Sequence, residues 1–296
     1  MSDTSEDMSS TPAQVARLLQ HQVPQWAHLS LRPVQTTGTD NALFRLGEGL
    51  VVRMPRRESA VALLHKELDW LPHLQGLPLA VPNLRYRGRA EALPRLDFGI
   101  FDWMEGKTAT AENLADWQEA AVRLAEFLRA LHKKDTKNAP LAGVCNSRRG
   151  VTLRRRDGRT RPAIDVLSDE IDAAGAHALW QAACAEVFDG SPVWLHGDLK
   201  ADNMIARDGA LHGIIDWGLS AVGDPAADYA AAWSWINPSA RQDFRECLSV
   251  SEHDWLRAKG WALYGAVIAL SYYRDGKNEA LCRQSRQTLF RLGLLL

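Results

Sequence analysis

Two short stretches of this chain place oxygen-bearing side chains at spacings that suit chemistry on a phosphate. The first is His196-Gly197-Asp198-Leu199-Lys200-Ala201-Asp202-Asn203, and the second, close behind it, is Ile214-Ile215-Asp216-Trp217-Gly218. A D-x-x-x-x-N loop sets a carboxylate beside an attacking hydroxyl and a carboxamide oxygen on a magnesium ion. A second carboxylate at the start of a D-x-G turn then grips the metal that bridges nucleotide phosphates. Hard cations take oxygen ligands, and Asn203 and Asp216 both supply them. Chance could give one such match, but hardly both in this order and this close. The chemistry indicated is phosphoryl transfer.

The rest of the chain must build a frame for these loops. Thr11-Pro12-Ala13-Gln14 offers an N-cap, a proline at the first helical position and a capping-box glutamine, and Val15, Leu18 and Leu19 give the helix an apolar stripe. From Leu31 the period changes to that of strands, over residues 31–35, 42–46 and 50–54, with Gly47-Glu48-Gly49 turning the last two into a hairpin. The polar loop before that hairpin includes Gly38, Thr39 and Asp40, whose backbone amides suit a phosphate, although it lacks a G-x-G-x-x-G pattern and an ordinary turn is the competing reading. A helix over residues 59–74, ended by Pro78 and Pro82, and strands near 84–87 and 98–103 follow. The glycine-marked exit Met104-Glu105-Gly106 sets a boundary.

Beyond it the pattern predicts helices over 111–132, 163–188, 238–246, 252–273 and 277–292. A strand pair, 204–207 and 213–215, folds around Asp208-Gly209 and presents the two acidic motifs side by side. The expected fold class is α+β and two-lobed: a small antiparallel-sheet lobe over 11–104, a mainly helical lobe over 105–296, and a cleft between them. Residues 1–10, polar and acidic, are expected to be disordered.

Composition bounds the alternatives. A chain of 296 residues exceeds the usual size of one core. Its formal net charge of -1 gives no general attraction to nucleic acid or acidic membrane, so neither is expected as a partner. Cys145, Cys184, Cys247 and Cys282 form no C-x-x-C pair and are expected as buried thiols in a reducing compartment. The start of the chain has no apolar core of a signal peptide, and the apolar run 261–270 is too short to cross a bilayer. The expected location is the cytoplasm.

With these residues in view, the chain from about Leu31 onward resembles the aminoglycoside phosphotransferase family within the protein-kinase-like fold. The resemblance rests on Gly38-Thr39-Asp40-Asn41, Val51-Val52-Arg53-Met54-Pro55, Trp103-Met104-Glu105-Gly106, the 196–203 loop, Ile215-Asp216-Trp217-Gly218 and Gly223-Asp224-Pro225-Ala226-Ala227-Asp228, in that order. It implies ATP or GTP as phosphoryl donor, magnesium as cofactor and a small-molecule hydroxyl as acceptor. It also implies that Asp198 orients the hydroxyl and accepts its proton, that Lys200 neutralises charge on the transferred group, and that Asn203 and Asp216 hold the metal. Backbone groups of Asp102 and Met104 would meet a purine edge. Arg53 stands where the general kinase pattern has a phosphate-gripping lysine; arginine keeps the charge but is bulkier. Glu67 is its expected partner, with Glu58 as fallback.

Other residues carry competing readings. His196 is expected to brace the loop rather than act as a base, and Asp224 and Asp228 to order backbone rather than touch substrate. Asp202 reads as a solvated loop carboxylate. The arginines between Arg148 and Arg161 read first as a solvated, mobile insert, then as a surface for an anionic substrate or regulator. Trp26, Trp70, Trp117 and Trp180 are expected in the core. Trp233, Trp235, Trp255 and Trp261 with Tyr264, Tyr272 and Tyr273 lie where relatives of this family bind the acceptor. Basic residues outnumber acidic ones after Tyr229, which does not suit a polycationic aminoglycoside. The alternatives are a metabolic kinase for a sugar or amino alcohol, and a catalytically weak nucleotide-binding regulator on the same fold.

Overall fold

Thr11 opens helix α1 (Pro12–Gln22) with the capping box its sequence spells: its hydroxyl accepts the Gln14 N–H at 3.3 Å while the Gln14 side-chain oxygen accepts the Thr11 N–H at 2.7 Å. The computed structural model describes residues 10–35, 40–90 and 96–296; the expected disorder at 1–9 and the phosphate-loop positions Gly38 and Thr39 lie outside them. The chain divides into two units, one of residues 1–76 and 80–105 and the other of 77–79 and 106–296.

In the first unit, strands β1 (Leu31–Val34), β2 (Asn41–Leu46), β3 (Leu50–Pro55), β4 (Leu84–Ala90) and β5 (Leu96–Asp102) form one antiparallel sheet in the order β1-β2-β3-β5-β4. Alternation along β2 buries Ala42, Phe44 and Leu46, which join Val52 and Met54 from β3 and Phe98 and Ile100 from β5. Val15, Leu19 and Val23 of the α1 segment close that core. Helix α2 (Glu58–Trp70) lies after β3 and buries Ala60, Leu64, Glu67 and Leu68. The predicted helix over 59–74 is thus shorter: Pro72 has no N–H to continue the ladder, and Leu71–Leu74 tighten into a 3-10 turn.

The second unit is mainly helical. It carries β6 (Lys107–Thr108), α3 (Trp117–Leu131), α4 (Asp157–Val166), α5 (Ala173–Ala185), β7 (Val193–Leu195), β8 (Met204–Arg207), β9 (Ala210–Ile214), β10 (Ala221–Gly223) and helices α6 (Ala226–Tyr229), α7 (Ala231–Ser234), α8 (Arg241–Leu248), α9 (Glu252–Tyr273) and α10 (Glu279–Arg291). Helix α9 is apolar on most of its circumference and accordingly buried, with Trp255, Ala258, Trp261, Leu263, Val267 and Leu270 all in the core.

Three expectations are corrected here. The single helix over 163–188 is two, because Asp172 caps a new start by accepting the Gly175 N–H at 2.9 Å. The 111–132 helix begins only at Trp117, where Asp116 accepts the N–H groups of Gln118 and Glu119 at 2.7 and 3.2 Å. The arginine segment 148–161 is no loose insert: Leu153 and Arg156 are buried, and Thr160 within it is fully so.

Cysteines and tryptophans also divide. Cys184 and Cys282 are buried, but Cys145 is exposed and Cys247 half-buried. Trp180 is fully buried, whereas Trp26, Trp70 and Trp117 are only half so. No helix among the described residues is long and apolar enough to cross a membrane.

Candidate active site

One hairpin carries the two oxygen donors expected to meet the metal. Strands β8 and β9 pair with Met204 opposite Ile214, and Asp208 (φ 52°) with Gly209 (φ 81°) supplies the two left-handed residues that a tight hairpin turn needs. Asn203 immediately precedes β8. Asp216 follows β9 by one residue, and the Ile215 N–H donates to the Asn203 carbonyl at 2.9 Å, which extends the ladder to the site itself. Asp216 has φ 67°, an uncommon state for a residue with a Cβ, and there the chain leaves the strand direction. Trp217 anchors the turn: its indole N–H donates to Ile214 O at 3.1 Å, and its buried ring meets His196 edge-on at 4.9 Å and Phe127 at 6.0 Å.

The 196–203 loop is held from beneath. His196 is fully buried; its Nδ1 accepts the Asp198 N–H at 3.2 Å, so Nε2 carries the proton and donates to Ile215 O at 3.0 Å. Burial pushes this imidazole below its ordinary pKa, which keeps it neutral and makes it a brace between loop and hairpin. Gly197 has φ 83°, and a Cβ there would stand 2.5 Å from Leu219 O. Asp228, from α6, accepts the N–H groups of His196 and Gly197 at 2.7 and 2.8 Å. Asp224 accepts from Arg257 at 2.9 and 3.3 Å and from the Ala226 N–H at 3.0 Å. Asp202 accepts from the Gln284 amide at 3.2 Å, so α10 touches the loop.

Asp228 gives the site a pH signature. Burial drives its carboxyl up to about 7, against the two N–H groups that favour the charged form. The unfolded group ionises near about 3.9. Between about pH 4 and 7 the native chain holds a proton that the unfolded chain has released. The contribution of Asp228 to stability therefore falls as pH rises through that window and levels off above it. Urea midpoints of wild type and Asp228→Asn, compared at about pH 5 and about pH 8, are expected to show a wild-type decline that the variant lacks. Parallel midpoints at both pH values would contradict it.

Asp198 sits among cations. Lys200 Nζ lies 2.9 Å from its Oδ2 and an Arg149 Nη 4.0 Å from its Oδ1, while the Asn203 amide N–H groups donate to its carbonyl at 2.8 Å and its Oδ2 at 3.0 Å. Burial pushes the Asp198 carboxyl up, but the Lys200 and Arg149 charges outweigh it and hold the group at about 2. The same contact with Asp198 raises Lys200 above its ordinary value. Arg149 is a site neighbour that sequence reading missed. It stood among similar arginines with nothing in its spacing to single it out.

The donor set fits magnesium. The Asn203 nitrogen is spent on Asp198, which leaves its carboxamide oxygen as the ligand atom. No cluster of three His, Cys, Asp or Glu side chains occurs among the described residues.

In the first unit, Arg53 and Glu67 come together as an ion pair at 3.0 Å, with the Glu67 side chain only 3% exposed. With the Asn41 amide turned so that its oxygen faces Arg53, that oxygen accepts from Nε and Nη2, both at 3.0 Å. Asp40 pairs with Arg57 and accepts the Arg56 N–H through its carbonyl at 2.8 Å. The Asp102 carboxylate takes Arg85 at 2.6 and 2.9 Å, and its N–H donates to Asn83 O at 3.0 Å. Met104 follows two residues on, half-buried.

A small antiparallel sheet with a flanking helix, and a helical unit that carries an H-G-D loop beside a metal-suited hairpin, define the protein-kinase-like fold. Solved structures agree. Aminoglycoside 2'-phosphotransferase-IIIa in its GDP complex matches with a TM-score of 0.72 over 96% of this chain and 99% of that one, at 16% identity. The streptomycin–ATP ternary complex of APH(2")-IIa matches with a TM-score of 0.64 over 96% and 97%, at 20% identity. The model of the phosphotransferase enzyme family matches residues 30–262, and this chain belongs to that family. Among curated proteins, the aminoglycoside 3'-phosphotransferase of Escherichia coli is 29% identical over 175 residues, and that of Salmonella typhimurium is 28% identical over the same length. Each match spans 57% of this chain and 61% of the relative.

Proposed function

We propose that the protein moves the γ-phosphoryl group of ATP or GTP onto a hydroxyl of a small molecule, with magnesium as cofactor, in the cytoplasm. The convergence of Asp198, Lys200 and Asn203 with the Asp216 hairpin carries this reading. Magnesium, held by Asn203 and Asp216 oxygens, would neutralise charge on the nucleotide phosphates. An Asp198 carboxyl at about 2 is a weak base but a constant anion. It aligns the acceptor hydroxyl and takes its proton only as the new bond forms. Lys200, beside it, balances charge on the transferred group. Arg53, fixed between Asn41 and Glu67, holds donor phosphates, and the backbone of Asp102 and Met104 receives the purine.

One observation favours a metabolic acceptor such as a sugar or amino alcohol over a polycationic antibiotic. Arg149 stands 4.0 Å from Asp198. A ligand bearing several ammonium groups would meet like charge here.

The test is magnesium-dependent ADP or GDP release with ATP or GTP and a panel of sugars, amino alcohols, macrolides and aminoglycosides. Release stimulated by one acceptor is the expected result. Nucleotide binding without turnover on any hydroxyl would favour the regulatory reading instead.

A further inference from the structure

A second feature lies among helices α5, α7, α8 and α9 and the end of α10. A cavity of about 430 Å³ is lined by Trp233 and Trp255, by Gly175 and Leu179 of α5, by Leu292 and Leu294, and by three cations, Arg241, Lys259 and Arg291. Its volume falls in the range of small-molecule sites. No acidic residue lines it, and none of Asp198, Lys200, Asn203 or Asp216 does.

Among the described residues, no carboxylate lies within ion-pairing distance of Arg241, Lys259 or Arg291. Arg241 donates through Nε to Ala232 O at 2.8 Å, and Arg291 through Nη1 to Trp233 O at 3.1 Å, so backbone carbonyls orient both guanidinium groups. The Arg241 Nη2 is buried and makes no hydrogen bond. Burial lowers Arg241, and burial together with Arg241 lowers Arg291 to about 10. Like charges left together in a half-buried place destabilise a fold unless something offsets them.

The tryptophans offset part of this charge and also shape the site. Trp233 and Trp255 pack with ring centroids 4.6 Å apart and planes tilted by 51°. Arg241 lies 5.2 Å and Lys259 Nζ 6.0 Å from the Trp233 ring centre. Cation–π contact is worth about 0.5–2 kcal/mol. Guanidinium forks match phosphate and carboxylate oxygens bidentately, and indole faces match a flat apolar body.

We propose that this cavity is a binding site for a small organic anion, a phosphate or carboxylate carried on a planar apolar body. Arg241 and Arg291 take the anionic oxygens, Lys259 adds charge at the mouth, and Trp233 and Trp255 receive the ring. The site shares none of Asp198, Lys200, Asn203 or Asp216, although Trp233 and Trp255 fall in the stretch that the family resemblance links to the acceptor.

Calorimetric titration of the full chain with phenyl phosphate, benzoate, inorganic phosphate and benzylamine tests this. Phenyl phosphate or benzoate is expected to bind at one site, and the stronger of the two names the anionic group. Inorganic phosphate is expected to bind at least tenfold more weakly than the preferred ring-bearing anion, and benzylamine not at all. Lys259→Glu and, separately, Arg291→Gln are expected to weaken the preferred ligand at least tenfold while thermal unfolding shows each variant folded. If one variant fails to fold, the other decides. Absence of binding by both ring-bearing anions, equal binding of benzylamine, or affinity unchanged in a folded variant would each overturn the proposal.

Discussion

Asp198→Asn is expected to lower kcat by about 10²–10⁴-fold, with the KM for nucleotide little changed. The substitution keeps the size of the side chain and removes the charge that faces Lys200 at 2.9 Å and Arg149 at 4.0 Å. An amide in its place cannot take a proton from the acceptor hydroxyl, and it leaves two cations beside the reacting centre without their anion. Because the wild-type carboxyl titrates at about 2, its ionised form persists far into acid. The wild-type rate should therefore show no acid limb from Asp198 above about pH 4. Steady-state nucleotide turnover across that range checks both parts, with thermal unfolding to show that the variant is folded. Turnover of Asp198→Asn within a few-fold of wild type would remove Asp198 from its assigned role.

Arg257→Met is expected to cost about 3–5 kcal/mol of stability, the largest single effect we foresee on folding. Arg257 and Asp224 side chains are each only 4% exposed and are joined at 2.9 Å, and Arg257 also reaches Asp254 on its own helix. Breaking the pair leaves Asp224 buried with the Ala226 N–H as its remaining described donor. Burial already pushes this carboxyl above its ordinary value with Arg257 present, so without the arginine it takes up a proton. Urea unfolding measures the loss. The double variant Arg257→Met with Asp224→Leu should recover much of it, since replacing both members of a buried pair removes the stranded charge. A single variant as stable as wild type would show that the pair contributes nothing net.

Much of this fold was legible because its strands and helices obey simple periods. The β2–β3 hairpin follows from alternation on either side of Gly47-Glu48-Gly49, and α9 runs over the residues its apolar content indicated. The misses share a physical cause. Asp172 and Asp116 start helices inside stretches whose composition stays helix-compatible on both sides, so no break in period announces them. Strands β7 and β10 are three residues each and pair across the intervening loop and hairpin, a length at which period says little. The close spacing of Asp198, Asn203 and Asp216 was visible because the loop and the hairpin are continuous in sequence. Asp228 orders loop backbone as its position suggested, but which N–H groups it takes was not legible, and Arg149 was not singled out at all. Each meets the loop from far along the chain, and only tertiary packing brings them to Asp198 and to the backbone of His196 and Gly197.

Asn203 and Asp216 stand on the two legs of one hairpin, tied by the Ile215–Asn203 hydrogen bond. Their separation is set by a β-ladder and a two-residue turn, and not by how the helices pack. The chain thus separates two problems that a single packed core would entangle. The packing of helices α4, α5, α8 and α10 can change while the spacing of the metal-suited oxygens remains fixed by local backbone geometry.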